Sequence, residues 1–173
     1  MEKYIPDIYQ KSIYKINYDS LMARGLKFLL FDLDNTIAPP TVKEPYTKTK
    51  KLFENLKAKG FTVIIFSNSP KIRVRPFAEE LEVDYFSSAM KPFKDSFLKA
   101  LEKCKFQINE TAIIGDQLLT DIAGGNKVGI TTILVDPIDT KDHFVTRFNR
   151  FLERKKIKKL RKKALFSKER YYE

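Results

Sequence analysis

Short apolar runs alternate along this chain with longer segments in which apolar residues recur every three or four positions. The short runs are typical of buried strands and the periodic segments of amphipathic helices. Strands are predicted in this way at residues 26–31, 61–66, 83–86, 111–114 and 131–135. Helices are predicted between them at residues 47–59, 72–81, 93–105 and 120–127. Together they predict an α/β fold, a parallel sheet of about five strands with helices on both faces.

The first 25 residues lack a long apolar run. Tyrosines recur there every four or five positions with isoleucines between them, at Tyr4, Tyr9, Tyr14 and Tyr18. This spacing predicts short helical pieces packed on the domain and ending at Gly25. We therefore assign residues 1–140 to one core domain that includes this N-terminal helical segment.

Residues 141–173 differ in composition and are predicted to form a separate basic extension. They carry 13 Lys and Arg against 4 Asp and Glu, most of the excess that gives the whole chain a net charge of +11. Apolar residues recur there at helical spacing, at Phe144, Val145, Phe148, Phe151 and Leu152. This pattern predicts a basic amphipathic helix. Such a helix packs on the domain, lies in the plane of an anionic membrane, or contacts nucleic acid such as ribosomal RNA.

Composition narrows the class of protein. A chain of 173 residues suits one domain. The single cysteine, Cys104, excludes an internal disulfide framework and a cysteine zinc cluster, and one histidine excludes a multi-histidine metal site. No signal-peptide pattern or membrane-spanning apolar stretch is present, so we expect a cytoplasmic protein, peripheral at the inner face of the membrane if the extension binds lipid.

Candidate chemistry begins where the first apolar run ends. Asp32 and Asp34 follow that run directly, and Thr36 comes two residues later. Two carboxylates this close repel each other, so both are ionised together only if a cation lies between them, and Mg²⁺ suits such oxygen ligands. The simpler interpretation is a polar exit from a strand into a turn.

Polar residues also follow three later strands, namely Ser67 with Asn68, then Lys91, then Asp116 with Asp121. The carboxyl ends of parallel strands share one edge of the sheet, so the fold would bring these residues together with Asp32 and Asp34. Phosphoryl transfer uses this mixture. A carboxylate can form an aspartyl-phosphate, hydroxyl, amide and lysine donors hold the phosphoryl oxygens, and Mg²⁺ offsets the negative charge.

In order, the four stretches DLDNT, FSNS, the lysine of MKP, and GDQLLTD resemble the four motifs of the haloacid dehalogenase (HAD) superfamily of phosphatases. More narrowly, GDQLLTDIAGGNKVGITTILV and PDIYQKSIYKINYDSLMARGLKFLLFDLDNT are similar to the subfamily IIIA phosphatases of the YqeG type. The resemblance runs from about residue 4 to residue 137. It implies a HAD-like (Rossmannoid) sheet and a phosphoric monoester hydrolase.

The resemblance implies roles for individual residues. Asp32 would attack phosphorus, and Asp34 would protonate the leaving oxygen and then activate water. Lys91 would pair with both the nucleophile and the phosphate, or be a solvated lysine if the family match is wrong. Mg²⁺ would bind Asp116, a carboxylate oxygen of Asp32 and the backbone carbonyl of Asp34, with Asp121 as a further or water-mediated ligand.

Three other residues complete the implied site. Ser67 and Asn68 would hold the phosphoryl group, and Thr36 would brace the loop. Structural interpretations stay open for the outer members, because Thr36 can simply cap a turn and the pair Thr120-Asp121 can cap the following helix.

Many proteins with this chemistry carry a cap domain over the site. Here the intervals between Asp34 and Ser67 and between Asn68 and Lys91 are filled by predicted helices and strands, so we expect no cap and an open site. Relatives of this type include phosphatases of phosphatidylglycerophosphate, which makes a lipid phosphate the favoured substrate. A soluble small-metabolite phosphatase and an RNA- or ribosome-associated protein that uses the basic extension are the alternatives.

Overall fold

The computed structural model describes residues 2–139, 144–168 and 170–173, with residues 144–150 described by their backbone alone. In this part of the chain six strands form one sheet: β1 (Ile8–Gln10), β2 (Phe28–Phe31), β3 (Thr62–Phe66), β4 (Asp84–Phe86), β5 (Thr111–Gly115) and β6 (Thr131–Val135). The strand order is β1-β6-β5-β2-β3-β4, and every pairing is parallel. The predicted α/β class with a parallel sheet is confirmed.

Helices cover both faces of the sheet: α1 (Tyr18–Ala23), α2 (Thr47–Ala58), α3 (Lys71–Leu81), α4 (Lys94–Cys104), α5 (Ala123–Val128) and α6 (Phe144–Lys162). Strand β2 shows why. Leu29 and Phe31 pack into one core with residues of α2 and α3, whereas Phe28 and Leu30 pack into a second core with residues of α4. Successive side chains of a strand point to opposite faces, so an entirely apolar strand needs cover on both sides.

The N-terminal segment contains a strand that the sequence pattern did not predict. Strand β1 pairs with β6 at the edge of the sheet, with Tyr9 opposite Leu134. It is only three residues long, so its tyrosine and isoleucine match a helical spacing as well as a strand. The sheet therefore has six strands instead of about five, and only α1 and two short 3₁₀ turns of the predicted helical pieces are present.

The intervals that could hold a cap contain only core elements. Helix α2 and strand β3 lie between Asp34 and Ser67, and helix α3 and strand β4 lie between Asn68 and Lys91. The prediction that no cap domain interrupts the fold is confirmed.

The basic extension packs against the core. The carboxylate of Glu153 in α6 accepts a hydrogen bond from the backbone N–H of Leu118. Leu160 and Phe166 are buried in a cluster with Tyr9. The backbone of Tyr172 exchanges two hydrogen bonds of 2.9 Å with Tyr9.

The predicted basic C-terminal helix is thus confirmed as α6. The boundary between residues 140 and 141 lies outside the described residues, so the division into a domain and an extension stays a prediction. Among the described helices, none is both long enough and apolar enough to cross a bilayer.

Candidate active site

The loop after β2 forms a tight turn that carries the first candidate residues. Asn35 has a positive φ of 64°, a conformation that Asn tolerates better than most residues. Its backbone N–H donates to the carbonyl of Ala38 at 2.8 Å. The carbonyl of Leu33 accepts from Thr36, Ile37 and Ala38 at 3.2, 2.9 and 3.2 Å. The chain therefore folds back on itself directly after Asp32 and Asp34.

Lys91 lies at the centre of a buried charged cluster. Its Nζ donates to Asp32 Oδ1 at 2.7 Å and to Asp121 Oδ1 at 2.6 Å, and its side chain is 2% exposed. Asp116 is fully buried, and its Oδ1 accepts a hydrogen bond of 3.2 Å from Thr36 Oγ1. The fold thus brings together, at the carboxyl edge of the sheet, residues that follow β2, β4 and β5.

Burial shifts the proton affinities in this cluster. Burial raises the pKa of Asp32 from its ordinary 3.8 to about 7; Lys91 opposes this rise, and Asp121 and Asp34 add to it. Burial also raises the pKa of Asp121, again against Lys91 and with the help of Asp116. Burial alone would lower the pKa of Lys91, but the carboxylates of Asp121 and Asp32 outweigh it and raise that pKa. The carboxylates thus carry more negative charge than one lysine balances.

A divalent cation fits this set of donors. One carboxylate oxygen from each of Asp32, Asp116 and Asp121 lies within 4.8 Å of the others, and all three residues are buried. Buried carboxylates are the hard oxygen ligands that Mg²⁺ takes. Gly115 makes room for the cluster, because a Cβ at that position would meet Asp121 Oδ2 at 2.2 Å.

Asp34 belongs to a different set of contacts. Its Oδ2 accepts from Ser69 Oγ at 2.5 Å, and its Oδ1 accepts from Arg73 Nε at 3.0 Å and lies 2.9 Å from Nη2. The same guanidinium donates to the backbone carbonyls of Pro39, at 3.1 Å, and Val42. Arg73 therefore links the loop after β2 to helix α3 and fixes the orientation of the Asp34 carboxylate.

Sequence reasoning missed Arg73 and Ser69. The available signal was weak, an arginine in the first turn of the helix that follows the FSNS stretch. Arginine is common on exposed helix surfaces, so this position alone does not distinguish a structural residue from a functional one.

Ser67 and Asn68 lie beside the cluster, on the loop that follows β3. Ser67 is buried, and its Oγ accepts from the backbone N–H of Ser69 at 3.1 Å. The side-chain amide of Asn68 donates to the carbonyl of Lys91 at 3.0 Å and accepts from its N–H at 2.7 Å. Asn68 therefore anchors the backbone that carries Lys91. Its predicted contact with a phosphoryl group stays a prediction.

The structural interpretations of Thr36 and Asp121 can now be compared with their contacts. Thr36 donates its hydroxyl to Asp116, so it joins the turn to the carboxylate cluster. Asp121 lies inside a π-helical turn, Leu118–Ile122, and its Oδ2 accepts from the backbone N–H of Gln117 at 3.2 Å. The residue at the N-cap position of α5 is Ile122. Asp121 thus holds a turn and Lys91 together and does not cap the following helix.

The amino-acid sequence of this chain is similar to those of known proteins. Residues 40–129 match the family described as haloacid dehalogenase-like hydrolase. The chain is 37% identical over 161 residues to "Probable phosphatase YqeG" of Bacillus subtilis (strain 168), a match that covers 93% of this chain and 94% of that protein. It is 25% identical over 171 residues to phosphatidylglycerophosphate phosphatase 1, chloroplastic/mitochondrial, of Arabidopsis thaliana, covering 93% of this chain and 49% of the plant protein.

Solved structures share the fold. The cobalt-bound form of the deoxy-D-mannose-octulosonate 8-phosphate phosphatase of Haemophilus influenzae superposes with a TM-score of 0.52 at 14% identity. The match covers 79% of this chain and 93% of that one. At this identity the likeness extends to the architecture of the sheet and its helices.

Proposed function

The chain belongs to the haloacid dehalogenase-like hydrolase family, and from this premise we propose a Mg²⁺-dependent phosphomonoester hydrolase that works through an aspartyl-phosphate. The observation that carries the proposal is the buried cluster in which Lys91 contacts Asp32 and Asp121 beside Asp116. Such a cluster combines a carboxylate nucleophile, a cation to hold phosphate and a set of metal ligands.

The proposed reaction has two halves. The carboxylate of Asp32 attacks phosphorus, the ester P–O bond breaks, and the leaving oxygen takes a proton from Asp34. Asp34 then takes a proton from water, the resulting hydroxide attacks phosphorus, and the bond to Asp32 breaks to release inorganic phosphate. Arg73 and Ser69 hold Asp34 throughout, so that one side chain acts first as a carboxylic acid, which gives up its proton, and then as a carboxylate base, which takes a proton from water.

Asp32, Asp116 and Asp121 supply the carboxylate oxygens that would hold Mg²⁺, and the backbone carbonyl of Asp34 is the further ligand carried over from the family resemblance. When bound, the cation offsets the negative charge that carboxylates and phosphate bring together. Lys91 binds a phosphoryl oxygen while it keeps Asp32 in place, and Ser67 and Thr36 complete the walls of the site.

A lipid phosphate is the favoured substrate, with phosphatidylglycerophosphate first. Two relatives are named as phosphatases of that lipid, one from Arabidopsis thaliana and one from Chlamydomonas reinhardtii. The uncapped site supports this choice, because a phosphate that protrudes from a bilayer reaches an open site more readily than an enclosed one. The exposed basic residues of α6 further support a lipid substrate, because they would be attracted to an anionic membrane. The protein would then work at the inner face of that membrane.

The test is phosphate release from short-chain phosphatidylglycerophosphate and from a panel of soluble phosphomonoesters. Wild type and Asp32→Asn are compared with Mg²⁺ and with EDTA. We expect Mg²⁺-dependent turnover of the lipid by wild type and none by the variant. Activity that survives in Asp32→Asn would contradict the mechanism, and turnover of soluble esters alone would favour the small-metabolite alternative.

An RNA- or ribosome-associated role is the alternative from another class, and the basic face of α6 is the feature that favours it. It predicts salt-sensitive RNA binding that persists in Asp32→Asn. Wild type without phosphatase activity but with such binding would move the assignment to this alternative.

A further inference from the structure

Large apolar side chains protrude from the first turn of α3 and from the loops around the candidate site. Ile72 is 86% exposed, Met90 64% and Phe93 63%, well above the exposed apolar residues elsewhere on the core, such as Ile108 at 41%. Ile72 follows β3, and Met90 and Phe93 lie between β4 and α4. Because all strands are parallel, the segments that carry these residues follow strand ends at the same edge of the sheet as Asp32.

Hydrogen bonds tie these protruding residues to the site. Ser88 donates its N–H to the carbonyl of Ser69 at 2.8 Å, which joins the loop of Met90 to the loop that precedes Ile72. On the other side of the site, Ile138 is exposed, and its N–H donates to the carbonyl of Asn35 at 3.1 Å. The site thus has an apolar rim, Ile72, Met90, Phe93 and Ile138, built on the start of α3 and on the loops that follow β4 and β6.

Helix α6 extends this rim with positive charge. Phe151 and Leu152 are exposed directly before Glu153, whose carboxylate contacts the π-helical turn that follows Asp116. Among the described side chains of α6, the one carboxylate, that of Glu153, is buried, whereas the exposed charged groups are all lysines and arginines. Lys71 and Lys94 are exposed beside Ile72 and Phe93 in sequence.

We infer that this rim, with the exposed face of α6, is a surface that docks the mouth of the site onto an anionic bilayer. The inference rests on the proposed function and adds where the membrane binds. Apolar side chains that protrude from several segments among cations suit the interface of a bilayer, where each enters the acyl boundary while the cations meet headgroup phosphates. A peptide partner would instead need a continuous groove.

Fluorescence gives a direct test, because the chain contains no tryptophan. Phe93→Trp places a single reporter on the rim, and Ile108→Trp places a matched one at the opposite edge of the sheet, directly before β5. Each is mixed with vesicles of phosphatidylcholine and phosphatidylglycerol, with and without brominated acyl chains. We expect a blue shift and bromine quenching for Phe93→Trp and neither change for Ile108→Trp.

Binding strength is measured by sedimentation with the same vesicles in EDTA, which separates docking from turnover. The double variant Ile72→Ser/Phe93→Ser should bind at least about tenfold more weakly than wild type, since it removes two side chains that would be buried in the acyl boundary. Ile108→Ser should bind like wild type. Turnover of p-nitrophenyl phosphate by the same proteins, measured separately with Mg²⁺, reports that the fold is intact.

The outcomes separate the two proposals. Equal binding by the double variant and the Ile108→Ser control, or no vesicle binding by wild type, would overturn the docking surface even if the soluble ester is hydrolysed. Self-association that is lost in the double variant while vesicle binding stays unchanged would assign the rim to a second copy of the chain. Vesicle binding by the rim without hydrolysis of any phosphomonoester would overturn the proposed function and leave the surface in place.

Discussion

Replacing Asp32 by Asn should stabilise the metal-free protein at pH 8 while it abolishes turnover. Burial raises the pKa of Asp32 from 3.8 to about 7, and Lys91 only partly opposes that rise. A carboxyl whose pKa is higher in the folded state binds its proton more tightly when folded. Its contribution to stability is therefore complete below about pH 4 and is lost as the pH rises through about 7.

The magnitude follows from the size of this shift. One pKa unit corresponds to about 1.4 kcal/mol, so the shift from 3.8 to about 7 costs wild type up to about 4 kcal/mol at pH 8. Asparagine has the same shape and no charge at any pH. We expect the free energy of unfolding of Asp32→Asn to exceed that of wild type by about 2 to 4 kcal/mol at pH 8, which raises the melting temperature by about 4 to 16 °C.

The assay is thermal unfolding followed by circular dichroism in EDTA, from pH 8 to pH 5. The gain should fall by more than half over that range, and it would vanish only below the unfolded pKa of 3.8, where the wild-type carboxyl is protonated in both states. Asp84→Asn, which changes an exposed carboxylate at the start of β4, is the control and should show no such trend. Added Mg²⁺ should stabilise wild type more than Asp32→Asn, which keeps only two of the three carboxylates.

Two results would refute this reasoning. An Asp32→Asn variant no more stable than wild type at pH 8 would mean that the ionised carboxylate carries no net penalty in the folded protein. A gain of equal size at pH 8 and pH 5 would mean that the stabilisation comes from packing and not from the charge.

Three further changes test other parts of the site and the fold. Arg73→Ala should lower kcat for a soluble ester by about ten- to a hundredfold, because Asp34 loses its orientation. Arg73→Lys should recover part of the lost kcat. Equal kcat in wild type and both variants would show that Arg73 does not position Asp34. Gly115→Ala should raise the Mg²⁺ concentration needed for half-maximal activity at least about tenfold, because the added Cβ displaces Asp121; an unchanged Mg²⁺ titration would contradict this. Leu160→Ala should lower the free energy of unfolding by about 2 to 4 kcal/mol in urea denaturation, since that side chain of α6 is fully buried; a smaller loss than about 0.5 kcal/mol would show that α6 is not part of the folded core.

The sequence predicts those strands whose residues form apolar runs. Strands β2, β3, β5 and β6 are buried on both faces, so each is an uninterrupted or nearly uninterrupted apolar run with little ambiguity. Strand β1 pairs with one strand, β6, and makes an isolated bridge to Tyr172 through Tyr9; it spans three residues, too few to show a period. Its place in the sheet depends on its contacts with β6, which no local pattern records.

The candidate residues that follow strand ends could be located for the same reason. A parallel sheet fixes which ends of its strands meet, so the sequence alone predicts Asp32, Lys91 and Asp116 at one edge. The contacts of Arg73 and Asn68 could not be expected in this way. Both depend on how the loops after β2 and β4 fold back toward α3, and therefore on side-chain reach and not on the order of the strands.

The charge at the site is opposite in sign to that of the whole protein, which has a net charge of +11. Asp32, Asp116 and Asp121, all ionised, exceed the charge of Lys91 by two negative units, which one divalent cation balances. A phosphate monoester carries nearly two negative charges of its own at neutral pH, so the carboxylates repel it until they are balanced. Cations on α6 and around the rim attract the phosphate over long distances. On the proposed function we therefore expect the phosphate to bind well only when the carboxylates are balanced, as a bound Mg²⁺ would balance them.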